Sequence, residues 1–298
     1  METVSTHSPR PADHATVQRR VGRIGCVSFL NAKPLIEGLE GGRDPVVKLD
    51  VPSRLLADLE ADAVDIALCP VIDFQRSTTP LAIVPVGGIG CQGKTLTVRL
   101  FSRVPFEAVT QVHADTDSHT SVALMRVLLA EIYGRQAQVI DYDARRGAVP
   151  PPSTQPPQTV LLIGDKVVTA CPPESLYPYQ LDLGEAWQAH TGLPFVFAVW
   201  MARAEAPLGD LPQLLAQTRL GNAGRMADIV TRHAAAHAWP HDLAMQYLGQ
   251  WLHYDIGEPQ LQAMRLFYEK AHQHGLIPRL RPLRIWKEVT GMNTNEHG

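Results

Sequence analysis

The chain has 298 residues, of which 45% are hydrophobic and 19% are charged, and this length allows two lobes or one large α/β domain. The formal net charge of −3 excludes the basic surface that nucleic acid requires, so no nucleic-acid partner is expected. No apolar run approaches the ~20 residues of a membrane-spanning helix, so no membrane partner is expected.

The first part of the chain and the cysteines indicate the cellular compartment of the protein. Residues 1–20 lack the apolar centre of a secretory signal and are expected to form a disordered tail. The cysteines are scattered and include no C-x-x-C pair, which is typical of reduced thiols. Together these features predict a cytoplasmic protein. The cysteines are Cys26, Cys69, Cys91 and Cys171.

The first structured unit is predicted to be a strand, a short polar loop and a helix. Arg23 to Phe29 is dense in small and apolar residues, and Pro34 stands where the first turn of a helix tolerates proline. Asn31 therefore falls at the carboxyl end of the strand, where ligands bind in open α/β sheets. By spacing alone, a turn former or helix cap is the commoner role for such an asparagine.

Strands and helices then alternate. Asp44 to Val51 and Val64 to Cys69 have the composition of strands, and Arg54 to Glu60 between them has the spacing of a short amphipathic helix. This alternation predicts a mostly parallel sheet covered on both faces. Further strands are predicted at Leu81 to Val86, Leu96 to Ser102, Val139 to Tyr142, Thr159 to Ile163 and Phe195 to Trp200.

Gly88 to Thr95 matches the phosphate-loop pattern G-x-x-x-x-G-K-[ST]. That motif binds a nucleotide only if its last residues open a helix whose N–H groups face the phosphates. The residues after Thr95 instead alternate with the period of a strand. A nucleotide-dependent enzyme is therefore a weak alternative.

A helix is predicted over Ser121 to Tyr133, with Ser118 or Thr120 as its N-cap and Gly134 as its stop. The hydroxyls and free N–H groups at its start could hold a carboxylate. A well-capped helix without a ligand is the commoner case. Downstream, Ala148 to Gln158 is proline-rich and is expected to form an exposed loop.

The last third of the chain is predicted to be helical. His233 and His237 are four residues apart, which is a spacing that metal sites use. No acidic residue lies between them and alanines surround them, so a surface face is expected and no metal site is predicted. The predicted helices are Gly221 to Trp239, His241 to Tyr254 and Ile256 to His274.

Polar side chains gather at the predicted strand ends and helix starts, and nearly all of them are neutral hydroxyls or amides. No nucleophile–histidine–acid set and no close carboxylate pair stands at a recognisable spacing. Such a cleft suits a small anion bound by hydrogen bonds and helix dipoles, either for binding alone or for a gentle elimination. These residues are Ser28, Asn31, Thr97, Thr120, Ser121 and Asp165.

Several segments resemble the chorismate dehydratase family of the futalosine route to menaquinone, in the right order over nearly the whole chain after residue 20. They are S-F-L-N-A-K-P-L at 28–35, V-P-S-R-L at 51–55, V-D-I-A-L-C-P-V at 64–71, H-T-S-V at 119–122, L-L-I-G-D at 161–165 and D-L-G-E-A-W-Q-A-H-T-G-L-P-F-V-F-A-V-W-M-A-R at 182–203.

The resemblance implies an α/β, two-lobed fold like that of the type 2 periplasmic binding proteins, with the ligand in a cleft between the lobes. One lobe would comprise residues 21–102 and 203–290, and the other residues 103–202. Tails would lie at 1–20 and 291–298. The resemblance leaves open whether the chain forms a homodimer.

The family reaction converts chorismate to 3-[(1-carboxyvinyl)oxy]benzoate and water, and it implies no metal and no cofactor. In the family, an asparagine at the position of Asn31 and a serine at the position of Thr97 are tied to catalysis, and the substrate's enolpyruvyl carboxylate is proposed to take the proton. The substrate-binding residues would be Ser28, Thr120, Ser121 and Asp165.

The chain departs from the family near the expected site. It has Q-G-K-T at 92–95 where the family has D-G-P-V, and it has Thr97 where serine is usual. Lys94 in this segment could contact a dianionic substrate or face solvent. The alternative function is a cytoplasmic binding or sensing protein for a small aromatic or carboxylate ligand on the same scaffold.

Overall fold

Two β-sheets organise the computed structural model, which describes residues 21–115, 117–143 and 156–287. The first sheet has six strands in the order β11-β4-β10-β3-β1-β2. Its strands come from both ends of the chain. They are β1 Arg23–Val27, β2 Val46–Asp50, β3 Ile66–Pro70, β4 Leu81–Cys91, β10 Phe195–Arg203 and β11 Leu252–His253.

The second sheet has five strands in the order β7-β6-β8-β5-β9. All of them lie in one continuous stretch between β4 and β10, so the chain crosses from one sheet to the other after β4 and returns before β10. The strands are β5 Val98–Ser102, β6 Gln111–Asp115, β7 Gln138–Tyr142, β8 Thr159–Ile163 and β9 Tyr179–Asp182. β5 belongs to this sheet, although the predicted bounds place its residues in the first lobe. The residue bounds of the two lobes stay a prediction.

The expectation of a mostly parallel sheet is wrong, because both sheets are mixed. β1 pairs in parallel with β2 and β3, as the alternation of strands and helices indicates. β10 pairs antiparallel with both β3 and β4. The reason is that β10 is reached from the second sheet rather than through a helical crossover, so no right-handed β-α-β unit fixes its direction.

Helices cover the sheets, and α4 has the ends that the sequence predicts. The Ser118 side chain accepts a hydrogen bond from the Ser121 N–H, and Gly134 ends the helix with a left-handed backbone at φ 63°. The helices are α1 Lys33–Ile36, α2 Pro52–Glu60, α3 Asp73–Arg76, α4 His119–Tyr133, α5 Lys166–Thr169, α6 Leu183–Thr191, α7 Leu211–Ala223, α8 Met226–His233, α9 His241–Gln246 and α10 Glu258–Gln273.

The two helices predicted around Pro240 are wrong in their extent. The first is divided between α7 and α8, because the buried Asn222 amide donates to the carbonyls of Pro34 and Glu37 and fixes the end of α7 against α1. The second ends in a π-helical turn at Tyr247–Trp251, and the chain then adds β11 to the edge of β4. Tertiary contacts override the helical period here.

Three other observations complete the fold. None of the described helices is long and apolar enough to cross a membrane. Cys26, Cys69 and Cys91 lie in strands of the first sheet, and their thiols are free and buried. The predicted tails at 1–20 and 291–298 and most of the proline-rich loop lie outside the described residues.

Candidate active site

A cavity lies between the two sheets, where strand ends from both meet the start of α4 and the π-helical turn. It holds about 530 Å³ of empty space, counted to its open mouth. Its polar lining consists of Asn31, Thr95, Thr97, Ser118, Ser121 and Tyr247, and its apolar lining includes Phe29, Ile89, Val98, Ile163, Phe197 and Leu252.

Asn31 is placed in the cavity by a 3-10 turn, Leu30–Ala32, directly after β1. Neither this turn nor α1 has a side-chain cap, so the interpretation of Asn31 as a helix cap is wrong. The side chain lines the cavity together with Tyr247. Its Oδ1 is buried and has no partner among the described residues, which leaves one acceptor for a ligand.

Thr97 lines the same cavity directly before β5, and only 2% of it is exposed. Its Oγ1 is 2.7 Å from the Tyr247 hydroxyl oxygen. The preceding residue, Leu96, has a left-handed backbone at φ 63°. The Asp182 carboxylate holds this turn, because it accepts the N–H groups of Thr95 and Leu96. It also caps α6.

The phosphate-loop interpretation is excluded by the same segment. Gly88 to Cys91 belongs to β4, and Thr95 is followed by the turn and β5 rather than by a helix. Lys94 is exposed, and its Nζ lies 4.2 Å from the centre of the Trp251 ring, which is a cation–π contact. Lys94 does not line the cavity.

The start of α4 brings hydroxyls into the cavity, but not both of the predicted ones. Ser121 lines the cavity with Ser118, and their hydroxyl oxygens are 2.9 Å apart. Thr120 is fully buried and does not line the cavity, because its Oγ1 accepts the Ile72 N–H at 3.2 Å. The first N–H groups of the helix have no intrahelical partner and favour an anion at this end.

Two further predicted residues do not line the cavity. Ser28 is exposed beyond the end of β1. The Asp165 carboxylate accepts the Trp239 Nε1–H at 2.9 Å, the His237 Nδ1–H at 2.8 Å and the Leu30 N–H at 3.4 Å. Asp165 follows a strand of the second sheet, whereas its donors belong to segments beside the first. The carboxylate therefore ties the two sides of the cavity together.

The two histidines do not form one site, and they do not lie on a surface face of one helix. His233 ends α8 and contacts the Glu37 carboxylate at 2.6 Å, whereas His237 lies in the following 3-10 turn and contacts Asp165. The side chains of both are only 18% exposed. Glu37 also pairs with Arg232, so its charge is already balanced by protein groups.

Tyr247 is the site residue that the sequence analysis missed. Its phenol is 1% exposed, and burial raises its pKa above the ordinary value. Its ring stacks on Trp239 with centroids 4.7 Å apart and an interplanar angle of 17°. In sequence it stands within a helical apolar pattern, which indicates a core residue, and only the contact with Thr97, 150 positions away, identifies it.

The described lining of the cavity contains hydroxyls, an amide and apolar side chains, and no Lys, Arg, His, Asp or Glu. An anion would therefore be held by neutral donors and by the start of α4. This agrees with the neutral, hydroxyl-rich cleft that the sequence predicts.

Comparison with known proteins finds relatives that are similar to this chain in sequence or in structure. The chorismate dehydratase of Thermus thermophilus is 29% identical over 263 residues, which cover 83% of this chain and 93% of that protein. Protein AF1704 from Archaeoglobus fulgidus has a similar structure, with a TM-score of 0.60, 12% identity and coverage of 86% of this chain and 98% of that one.

A second solved structure identifies the class of fold. The Candida albicans CA3427 gene product, said to exhibit the generic periplasmic binding protein fold, matches with a TM-score of 0.61, 8% identity and coverage of 87% of this chain and 92% of that one. The predicted periplasmic-binding-protein-like α/β fold is thus confirmed. The model of the menaquinone biosynthesis family matches residues 22–273. The chain belongs to the menaquinone biosynthesis family.

Proposed function

We propose that this protein is a chorismate dehydratase, a carbon–oxygen lyase that converts chorismate to 3-[(1-carboxyvinyl)oxy]benzoate and water in menaquinone biosynthesis. The family and the name of the Thermus thermophilus relative support this proposal. The observation that carries it is that Asn31 and Thr97, which follow or precede strands of different sheets, line one cavity.

The reaction removes a proton from the ring carbon that bears the enolpyruvyl ether and a hydroxyl from its neighbour. The electrons of the C–H bond form the new ring double bond as the C–O bond breaks, and the hydroxide leaves as water once it has gained a proton. The ring becomes aromatic, which supplies the driving force. Because no electrons pass to an acceptor, the step requires no redox cofactor.

We assign the polar groups of the cavity to the two ends of this substrate. The unpartnered Oδ1 of Asn31 would accept a hydrogen bond from the ring hydroxyl, and the Thr97 hydroxyl would donate one to the same oxygen as it leaves. Ser118, Ser121 and the first N–H groups of α4 would bind a carboxylate.

The proton acceptor is assigned to the substrate itself. The described lining offers hydroxyls, an amide and a phenol, and none of these is a base near neutral pH. The enolpyruvyl carboxylate of chorismate is joined to the reacting carbon through the ether oxygen, so it can reach the proton without a protein base.

The test is to incubate purified protein with chorismate alone and detect the dehydrated product by mass. Asn31→Ala should lower turnover by about 100-fold or more while the protein stays folded, because it removes the free acceptor in the cavity. Ser28→Ala is the matched control, because Ser28 neighbours this turn without lining the cavity, and it should keep wild-type turnover. Full activity in Asn31→Ala would remove Asn31 from the mechanism.

A binding or sensing protein for a small aromatic or carboxylate ligand is the second candidate. It is favoured by the structural similarity to binding proteins such as the alkanesulfonate-binding protein SsuA from Xanthomonas axonopodis, with a TM-score of 0.59, 15% identity and coverage of 87% of this chain and 94% of that one. Tight chorismate binding without product would support it. We also propose that the protein is cytoplasmic. Light scattering would show whether it forms a homodimer.

A further inference from the structure

We infer that Tyr247 is a positioning residue for the proposed elimination, and that its hydroxyl sets the direction in which Thr97 donates its proton. The inference rests on the proposed function, because it concerns the same cavity. It deepens that function by assigning a role to a residue from the C-terminal part of the chain.

The position of Tyr247 is unusual for a core residue. It opens a π-helical turn, and such turns recur at functional sites because they displace one side chain from the helical period. Tyr247 lines the cavity, and its hydroxyl contacts the Thr97 hydroxyl directly before β5. A tyrosine that served packing alone would not need this polar partner.

The direction of this hydrogen bond follows from the proposed reaction. Either oxygen could donate across the 2.7 Å between the Tyr247 hydroxyl and Thr97 Oγ1. In the proposed function the Thr97 proton faces the oxygen that leaves, so Thr97 accepts from Tyr247 and the phenol proton is donated to Thr97 Oγ1.

This direction decides what the cavity presents to a ligand. Thr97 accepts from Tyr247 through its oxygen, so its own hydroxyl proton is free to point into the cavity. Asn31 Oδ1 supplies a free acceptor in the same cavity. A donor and an acceptor in one cavity match a hydroxyl group, which both accepts and donates. Chains of such bonds also polarise one another, which strengthens the last donor.

The phenol keeps this direction over the working pH range. Burial raises the pKa of Tyr247, and this effect exceeds the lowering by its bond to Thr97. Tyr247 is therefore neutral near pH 7 and remains a donor to Thr97. Its ring is held in place by stacking on Trp239, whose Nε1–H is bound to Asp165.

The test is Tyr247→Phe in the full-length protein, with initial rates measured on chorismate. Phenylalanine keeps the volume and the stacking on Trp239 and removes only the hydroxyl. We expect kcat to fall by about 10- to 100-fold with KM within about threefold, because the change acts on the leaving hydroxyl. Tyr268→Phe is the matched control and should keep the wild-type kcat. Tyr268 is equally buried and donates to the Val71 carbonyl at 2.7 Å, outside the cavity.

A double-mutant cycle separates positioning from a merely structural effect. If Tyr247 acts through Thr97, adding Tyr247→Phe to Thr97→Val should cost less than threefold further in kcat. Fully additive losses, or a Tyr247→Phe protein as active as the wild type, would overturn the inference alone. A wild-type protein that makes no product would overturn the proposed function and the inference together.

Discussion

The Asp165 carboxylate is expected to hold the two sides of the cavity together, so that its removal weakens substrate binding more than chemistry. Asp165→Ala removes the acceptor of three hydrogen bonds, from Trp239, His237 and the Leu30 backbone. The Asp165 and His237 side chains are 19% and 18% exposed, so the bonds are partly shielded from water.

The size of the effect follows from these contacts. Hydrogen bonds to a charged group contribute about 1.5–3 kcal/mol each, and partial exposure and screening reduce the sum to about 2–4 kcal/mol. Because the bonds join segments on opposite sides of the cavity, most of this free energy should hold the two sides in the arrangement that binds substrate. At about 1.4 kcal/mol per tenfold change, KM for chorismate should rise by about 10- to 100-fold. The kcat should fall by less than about tenfold.

The control variant removes Glu60, a carboxylate that also accepts several hydrogen bonds but whose donors all lie on one side of the cavity. Glu60 accepts from the Ser77 hydroxyl at 2.6 Å and from the N–H groups of Thr78 and Thr79 at 3.0 and 3.5 Å. Glu60→Ala should lower the unfolding temperature as Asp165→Ala does, without raising KM. Equal KM values in the two variants would refute the role of Asp165 in holding the two sides of the cavity together.

Thr97→Ser should keep turnover within about threefold of the wild type, because the hydroxyl is retained, whereas Thr97→Val should lose about 100-fold in kcat on chorismate; similar rates for the two variants would contradict this. Glu131, on α4, binds His190, Lys270 and His274, and these bonds lower its pKa from 4.5 to about 2 against the effect of burial. Since the folded pKa is depressed, the stabilisation is present above about pH 4.5 and is lost as the pH falls towards 2. Glu131→Gln should therefore lower the free energy of unfolding by about 1–3 kcal/mol at pH 7 and much less near pH 2, as measured by denaturant titration, and an equal loss at both pH values would contradict the assignment.

Local patterns in the sequence were sufficient to predict the structure where a short segment determines its own conformation. The unit from β1 to Asn31 and the capped helix α4 follow from composition, proline and cap residues within a few positions of one another. The hydroxyls of Thr97 and Ser121 were also placed in the cleft by such local reasoning. Contacts between distant segments had no comparable signal.

The differences between the predicted site residues and the cavity lining have one physical cause. A polar residue at a strand end can face a ligand or face the other lobe, and its local sequence is the same in both cases. Asp165 and Thr120 were predicted to bind substrate, yet each bonds a segment remote in sequence, and neither lines the cavity. Tyr247 was missed for the converse reason, since its apolar neighbours give it the pattern of a core residue while its hydroxyl reaches the cavity.

The lack of charge in the described lining has a consequence for the proposed chemistry. A carboxylate beside an arginine or lysine has its pKa lowered by about 1–3 units, which makes it a weaker base. A substrate whose own carboxylate must remove a proton is therefore better held by hydroxyls, amides and a helix N-terminus, which bind the anion and leave more of its basicity. The one cation in the segment that departs from the family pattern, Lys94, lies over Trp251 outside the cavity, and so leaves this balance unchanged.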